Sequence, residues 1–345
     1  MEYCNLGKTN LNVSKICLGT MTFGEQNTLE DGFEQMDYAQ EQGINFFDTA
    51  ELYAVPPKPE TQGKTEEIIG EYFSQRNCRD KIILATKVTG PTVDWIRDGK
   101  PYDKKAILSA VEGSLKRLKT DYIDLYQLHW PTRHVYQFTN FFKEQVNFDT
   151  NQVSDHILEV IQTMEELIAQ GKIRHYGLSN ETAWGTMKYL QIAEKNNLKS
   201  PVSIQNEYSL LCRKFEPDLS EVCAAESVDL LAWSPLATGL LSGKYKNGKY
   251  PKGSRLDISQ GARWRQTDNC ESAIIAYEKV AEKHNLNFAQ MSIAFTLQRP
   301  FKTVSIIGAT TMDQLKSNID AINLKLSDDV MNDLSEVRKK YPIVF

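Results

Sequence analysis

The sequence predicts an α/β fold: a closed (β/α)8 barrel with an N-terminal hairpin and long loops on its C-terminal face. Three observations carry this prediction. Eight runs have strand character, helical patterns separate them in turn, and no internal repeat or low-complexity tract divides the 345 residues. Repeated strand–helix alternation implies a parallel sheet sheathed by helices. Eight units favour a closed barrel over an open doubly wound sheet. Residues 1–345 read as one domain.

In order, a short polar hairpin-like lead-in begins at Leu11, and Lys15–Met21 reads as a buried strand ending at Gly19. A polar helix over Leu29–Gln42 is stopped by Gly43, acting as a C-terminal glycine cap. Ile44–Phe47 is the second strand; it closes on Asp48, with Tyr53 in the loop beyond. A helix near Thr65–Phe73 leads to the β-rich run Lys81–Val88. Over Asp103–Lys119, Ile107, Ala110, Val111 and Leu118 share one helical face. Tyr122–His129 alternates as a strand, Asp155–Gln170 carries an apolar helical stripe, and Lys172–Ser179 is again strand-like. Val202–Gln205, Val228–Trp233 and Thr303–Ile307 complete the set. Helical patterns lie near Trp184–Asn196, Phe215–Ser227 and Ser272–Asn285. Leu315, Ile319 and Ile322 mark another helix, and Val330, Leu334 and Val337 a last one. The stretches Ala54–Gly63, Trp130–Ser154 and Gly243–Asp268 read as long loops within the domain.

With 41% apolar and 25% charged residues, the composition is that of a soluble globular protein. A net charge of −5 gives no general attraction toward nucleic acid or anionic membrane, so any anionic ligand must be held by local groups. The N-terminus lacks the apolar core of a signal peptide. No run approaches the roughly 18 apolar residues that span a bilayer. Cys4, Cys17, Cys78, Cys212, Cys223 and Cys270 are scattered, without C-x-x-C or metal-type spacing. They read as reduced thiols, and the expected location is the cytoplasm.

Several chemistries are excluded or weakened. No glycines are spaced as G-x-G-x-x-G, and Glu25 stands where a phosphate loop beginning at Gly19 needs lysine. There is no H-E-x-x-H or G-x-S-x-G, and the five histidines do not cluster. Metal-assisted and serine-nucleophile readings are therefore weak, and no metal is expected.

In a parallel barrel the C-terminal strand ends open on one face, where the site sits. Those ends bring Asp48, Lys87 and His129 to that face, with Tyr53 in the loop after Asp48. Singly, each has an ordinary structural reading: a turn former, a solvated strand end, a satisfied histidine, a half-buried ring. Four on one face are harder to dismiss. Lys87 follows an apolar run into a partly enclosed mouth, and an enclosed ammonium needs a counter-ion; Asp48 is the nearest candidate. A phenol near that ammonium has its pKa moved down from about 10, which suits a general acid. A neutral His129 can hydrogen-bond the same substrate oxygen. Nothing here supplies electrons, so a hydride-donating cofactor is implied.

The segments Leu18-Gly19-Thr20-Met21-Thr22-Phe23-Gly24, Phe47-Asp48-Thr49-Ala50-Glu51-Leu52-Tyr53, Ala85-Thr86-Lys87-Val88, Leu115–Leu118 with Asp121–Leu125 and His129, Gly177-Leu178-Ser179-Asn180, and Gln205-Asn206-Glu207-Tyr208 carry a resemblance. Together they resemble the aldo-keto reductase superfamily over essentially the full length, and within it the longer, Tas-like bacterial branch. The resemblance implies a TIM barrel that reversibly reduces aldehydes or ketones to alcohols with NADPH, without metal. Asp48, Tyr53, Lys87 and His129 match the catalytic tetrad. Tyr53 would be the acid/base, Lys87 its pKa modulator, Asp48 the charge partner and His129 the carbonyl-orienting residue.

The cofactor would lie along Gly19, Thr20, Met21 and Asp48. Ser179, Asn180 and Gln205 match positions that hydrogen-bond the nicotinamide carboxamide, and Trp233 matches the aromatic that stacks on the ring. Ser234, Pro235, Leu236, Gly239, Leu240 and Lys244 match the loop over the pyrophosphate. Arg255 matches a basic residue near the adenosine end. Gly308, Thr310, Gln314 and Asn318 match the adenine and 2′-phosphate site, where a helix N-terminus offers N–H groups to an anion. Thr310 and Arg255 point to NADPH over NADH. Phe23, Tyr53, His129 and Trp130 are the expected substrate contacts.

Two segments depart from the family pattern. Ala54–Gly63, with Pro56, Pro57 and Pro59, is inserted after Tyr53. The stretch after His129 is long and aromatic: Trp130, Tyr136, Phe138, Phe141, Phe142 and Phe148. Both read either as a wall around a bulky apolar substrate or as packing between loops. Two other functions compete. One is an NADP(H)-sensing regulatory subunit, since Trp233–Lys244 resembles potassium-channel β subunits. The other, a barrel glycosidase, is weak because Asp48 and Glu51 lie close in sequence on different faces. The expected partner is a small carbonyl substrate, with no nucleic acid, membrane or obligate protein partner.

Overall fold

The computed structural model describes residues 1–136, 148–259 and 264–345. A hairpin of β1 (Tyr3–Asn5) and β2 (Asn12–Ser14) comes first, with Cys4 opposite Val13. Eight strands follow: β3 (Ile16–Gly19), β4 (Phe46–Asp48), β5 (Ile83–Val88), β6 (Ile123–Leu128), β7 (Ile173–Ser179), β8 (Ser203–Glu207), β9 (Asp229–Trp233) and β10 (Thr303–Ile307). They close into a parallel barrel in chain order, with β10 pairing back to β3. All eight coincide with the expected strands to within a few residues.

The helices are α1 (Leu29–Glu41), α2 (Lys64–Arg76), α3 (Lys104–Leu118), α4 (Thr150–Ala169), α5 (Ala183–Lys195), α6 (Asp218–Glu226), α7 (Arg255–Ile258), α8 (Asp268–Lys283), α9 (Phe288–Leu297), α10 (Met312–Asp320) and α11 (Asp328–Lys340). Short polar side chains start most of them. Thr28, Asp103, Asp149, Thr182, Thr267, Asn287, Thr311 and Ser327 each accept a hydrogen bond from an otherwise unpaired first-turn N–H. After α1, Gly43 takes φ +83° and donates to Gln40 O at 2.9 Å, the glycine stop expected there.

Several helices differ from the sequence reading, among them α7, a single turn inside the Gly243–Asp268 stretch expected as a loop, and α8, which begins at Asp268 rather than near Ser272. The first turn of α4 is polar and has no apolar period, so the helix begins at its Asp149 cap rather than at Asp155. Pro217 occupies the N-cap of α6, which therefore starts at Asp218 rather than at Phe215. No helix was expected over α9, because it is apolar on nearly every side and has no single face to betray its period.

Side-chain parity sets the barrel interior. Cys17, Phe46, Ala85, Leu125, Leu231, Val304 and Ile306 form the inner core, and the hairpin's Leu6, Leu11 and Val13 join it from the floor. Two residues further along β4, β5 and β6, the same parity turns Asp48, Lys87 and Gln127 inward. The outer faces of the strands pack on the helices in a second, larger core.

Candidate active site

The polar upper layer of the barrel is one hydrogen-bonded unit. Lys87 Nζ has no exposed surface and donates to Asp48 Oδ2 at 2.7 Å and to Thr49 O at 2.7 Å. The other carboxylate oxygen, Asp48 Oδ1, accepts from Gln205 Nε2 at 2.8 Å and from Gln127 Nε2 at 3.2 Å. Burial works against the ammonium, but the Asp48 carboxylate, with the Tyr53 phenol beside it, outweighs burial and raises the Lys87 pKa above its ordinary value.

The two rings stand above this layer. Tyr53 keeps part of its surface open, and Lys87 Nζ lies 5.0 Å from its ring centre. The Tyr53 and His129 rings meet edge to face at 5.7 Å. Burial, reinforced by the Lys87 charge, holds His129 well below the usual imidazole range, so the ring is neutral. Tyr53 departs from the sequence expectation of a lowered pKa. Burial pushes the phenol up, Lys87 pulls it down, and Asp48 adds to burial, so the net direction is upward.

The remaining site candidates occupy the other strand ends. Just past the end of β7, Asn180 takes φ +54°. Its Nδ2 donates to His129 O at 2.9 Å, and its Oδ1 accepts from Trp233 Nε1 at 3.2 Å. Ser179 Oγ donates to Gln205 O at 2.8 Å. After β9 the chain turns tightly, with Ser234 Oγ accepting from Thr238 N at 2.7 Å; Pro235, Leu236, Gly239 and Leu240 build the turn and Lys244 folds back over Gly239. Next in the ring, Gly308 is exposed after β10, and a Cβ there would meet nothing within 4 Å. Thr310 is tied to Gln314 Oε1 at 3.0 Å, and Asn318 Nδ2 donates to Gly308 O at 3.1 Å. Arg255 is half-buried, and its Nε and Nη1 are enclosed without a hydrogen-bond partner. Burial lowers its pKa, and the groups it senses are Tyr53, Arg265 and Tyr245. Gly19 is closely packed, since a Cβ would lie 2.8 Å from Ile306 Cγ2. Thr20 donates to Asp48 O at 2.8 Å, and Met21 O accepts from Val55 N at 2.9 Å.

The two departing segments have different settings. The insertion after Tyr53 folds back on the β3 loop through that Met21 bond and through a Lys58–Glu25 ion pair, and closes on itself through Ala54 N to Thr61 O at 3.1 Å. Beyond His129, Trp130 packs 4.8 Å from the imidazole. Phe148 packs on Trp184 at 5.0 Å, with the Arg133 guanidinium over both rings. Phe138, Phe141 and Phe142 lie outside the described residues. Phe23, expected at the substrate mouth, is fully buried in the outer core over Gly32.

Two features escape the sequence reading. Gln127 joins the Asp48 layer; it sits two residues before His129 on the same face, so strand parity alone could have found it. Glu51 is buried in an ion pair with Arg97 at 2.7 Å, and no local motif links those two loops.

Comparisons with known proteins agree with this architecture. A family model described as the Aldo/keto reductase family matches residues 15–339. The chain is 45% identical to "Protein tas" of Escherichia coli (strain K12) over 345 residues, which cover 99% of each. It is 35% identical to "Uncharacterized oxidoreductase YrpG" of Bacillus subtilis (strain 168), covering 98% of this chain and 96% of that protein. A more distant relative, at 28% identity over 99% of this chain and 98% of the other, is the "Probable voltage-gated potassium channel subunit beta" of Arabidopsis thaliana. With the closed barrel, these matches place the chain in the aldo/keto reductase family as an oxidoreductase.

Proposed function

We propose that this protein reduces an aldehyde or ketone to an alcohol with NADPH, reversibly, with Tyr53 as the proton donor. One observation carries the reading: the Lys87 ammonium, 2.7 Å from Asp48, lies within reach of a phenol whose ring meets a neutral imidazole.

The family generally uses a nicotinamide dinucleotide. The strand ends from β7 round to β3 fit such a group. Arg255 has buried guanidinium nitrogens without a partner, Lys244 lies over the β9 turn, and the surface at Gly308 is open ahead of α10. Ser179, Asn180, Gln205 and Trp233 would hold the nicotinamide end. The Ser234–Leu240 turn and Lys244 would hold the pyrophosphate. Arg255, Thr310, Gln314 and Asn318 would hold the adenosine end, where a 2′-phosphate rewards a cationic partner and favours NADPH. When bound, the dinucleotide supplies the hydride.

The chain's own residues do the proton work. His129, kept neutral, offers a ring N–H to the carbonyl oxygen and fixes its position. Tyr53, whose raised pKa keeps it protonated in the free protein, gives its proton to the developing alkoxide. The Lys87 ammonium stabilises the phenolate that remains, and Asp48 keeps that ammonium charged. In the reverse direction the phenolate takes the proton back from the alcohol.

Tyr53→Phe tests this directly. It should retain NADPH binding and lose about 10²- to 10⁴-fold in kcat. Wild-type kcat on every active carbonyl would remove Tyr53 from the mechanism. The likeness to a protein named as a potassium-channel subunit supports a second reading, an NADP(H) sensor. Single-turnover oxidation of bound NADPH by a carbonyl panel separates the two, since a sensor need oxidise with none of them.

A further inference from the structure

Glu51 sits in the loop between Asp48 and Tyr53, is only 5% exposed, and is fixed through both backbone and side chain. Its N–H donates to Lys87 O at 3.2 Å. Its carboxylate takes Arg97 Nη1 on Oε1 at 2.7 Å, Arg97 Nη2 on Oε2 at 2.9 Å, and the Thr89 N–H on Oε2 at 2.9 Å. Arg97 Nη2 also donates to Thr89 O at 2.8 Å. The segment that carries the phenol is thus fastened to the segment that leaves Lys87. A two-pronged guanidinium–carboxylate pair fixes orientation as well as distance, which a single bond does not. The Tyr53 N–H turns back to Ala50 O at 3.0 Å, so the turn that bears Glu51 and the one that bears Tyr53 are the same.

We propose that the Glu51–Arg97 pair is a positioning clamp for the proton donor, holding the Tyr53 phenol in register with Lys87 and with the carbonyl position beside His129. The inference rests on the role proposed for Tyr53. A buried ion pair is poor evidence of stabilisation, because desolvation of both charges offsets their attraction. Placement is a different matter. A donor shifted by about 1 Å can lose about 100-fold in rate, and here the loop holding the donor is secured to the strand whose lysine tunes it.

The test compares Arg97→Ala, Arg97→Lys and Glu51→Gln with wild type in NADPH-dependent reduction of 4-nitrobenzaldehyde, and in NADPH binding followed by fluorescence. The clamp predicts that Arg97→Ala lowers kcat by about 10- to 100-fold while carbonyl KM and NADPH Kd stay within about two-fold. The kcat–pH curve should shift with it, and Arg97→Lys should recover part of the loss. A lower melting temperature with unchanged kcat and pH curve would make the pair merely structural and overturn the clamp. Loss of NADPH binding in both conservative variants would overturn it too. Tyr53→Phe separates the two readings. If it turns over like wild type, or if wild type is inert toward every carbonyl, the Tyr53 role fails and the clamp falls with it. If Tyr53→Phe is inactive while Arg97→Ala keeps wild-type kcat, the clamp alone fails.

Discussion

Asp48 at the end of β4 is where the ordinary and functional readings of the sequence part. A strand-end aspartate is usually a turn former, yet here both oxygens face into the barrel and accept from Lys87, Gln127 and Gln205. Sequence parity was enough to bring Asp48 and Lys87 to one mouth. The direction of the Tyr53 pKa was not readable in the same way, because the sign depends on burial against charge, and burial is a tertiary quantity. His129 gives a pH prediction. The unfolded imidazole takes its proton near pH 6.5, whereas in the fold burial and the Lys87 charge keep the proton off until well below that. Between those two values the unfolded chain binds more protons, so stability is complete above 6.5 and is lost as the pH falls through and below it. His129→Gln should therefore lose less stability than wild type between about pH 7.5 and about pH 5.5, read as urea midpoints at the two pH values.

Among the elements, the helices with one apolar face were the legible ones, and α3 shows why. Its Ile107, Ala110, Val111 and Leu118 are all buried, as their spacing requires. The all-round apolar α9 and the polar first turn of α4 carry no such period, so their existence or start was hidden. What holds two legible helices together was also hidden. Gly70 of α2 lies against the end of α3, and a Cβ there would come within 2.1 Å of Arg117 O and 2.8 Å of Leu118 C. Backbone atoms cannot rotate away as a side chain can. Although alanine is the better helix former, Gly70→Ala should force α2 and α3 apart and lower the unfolding free energy by about 1–3 kcal/mol, measured by urea denaturation. Unchanged or greater stability would mean that the helix pair relaxes freely.

At the scale of the whole molecule, the hairpin closes the floor of the barrel and the loops shape its mouth. Leu6 and Val13 are fully buried in the inner core, and Gly7 N donates to Asp229 Oδ2 at 2.5 Å, fastening the hairpin turn to the start of β9. Leu6→Ala should destabilise the protein by about 2–5 kcal/mol, read from chemical denaturation, with the mouth chemistry little changed. Among the described residues no helix is long and apolar enough to cross a membrane. The sequence by itself determined the strand count, the parallel alternation and the set of strand-end residues, because strand parity and helical period are local and survive in one dimension. Only the tertiary structure decided which of those residues touch. The Asp48–Gln127–Gln205 layer, the burial of Phe23 and the bond from Glu51 to Arg97 are contacts between distant segments. They depend on how strands and helices assemble in three dimensions, and for the Asp48 layer on barrel closure, which brings strand ends from separate parts of the chain to one mouth.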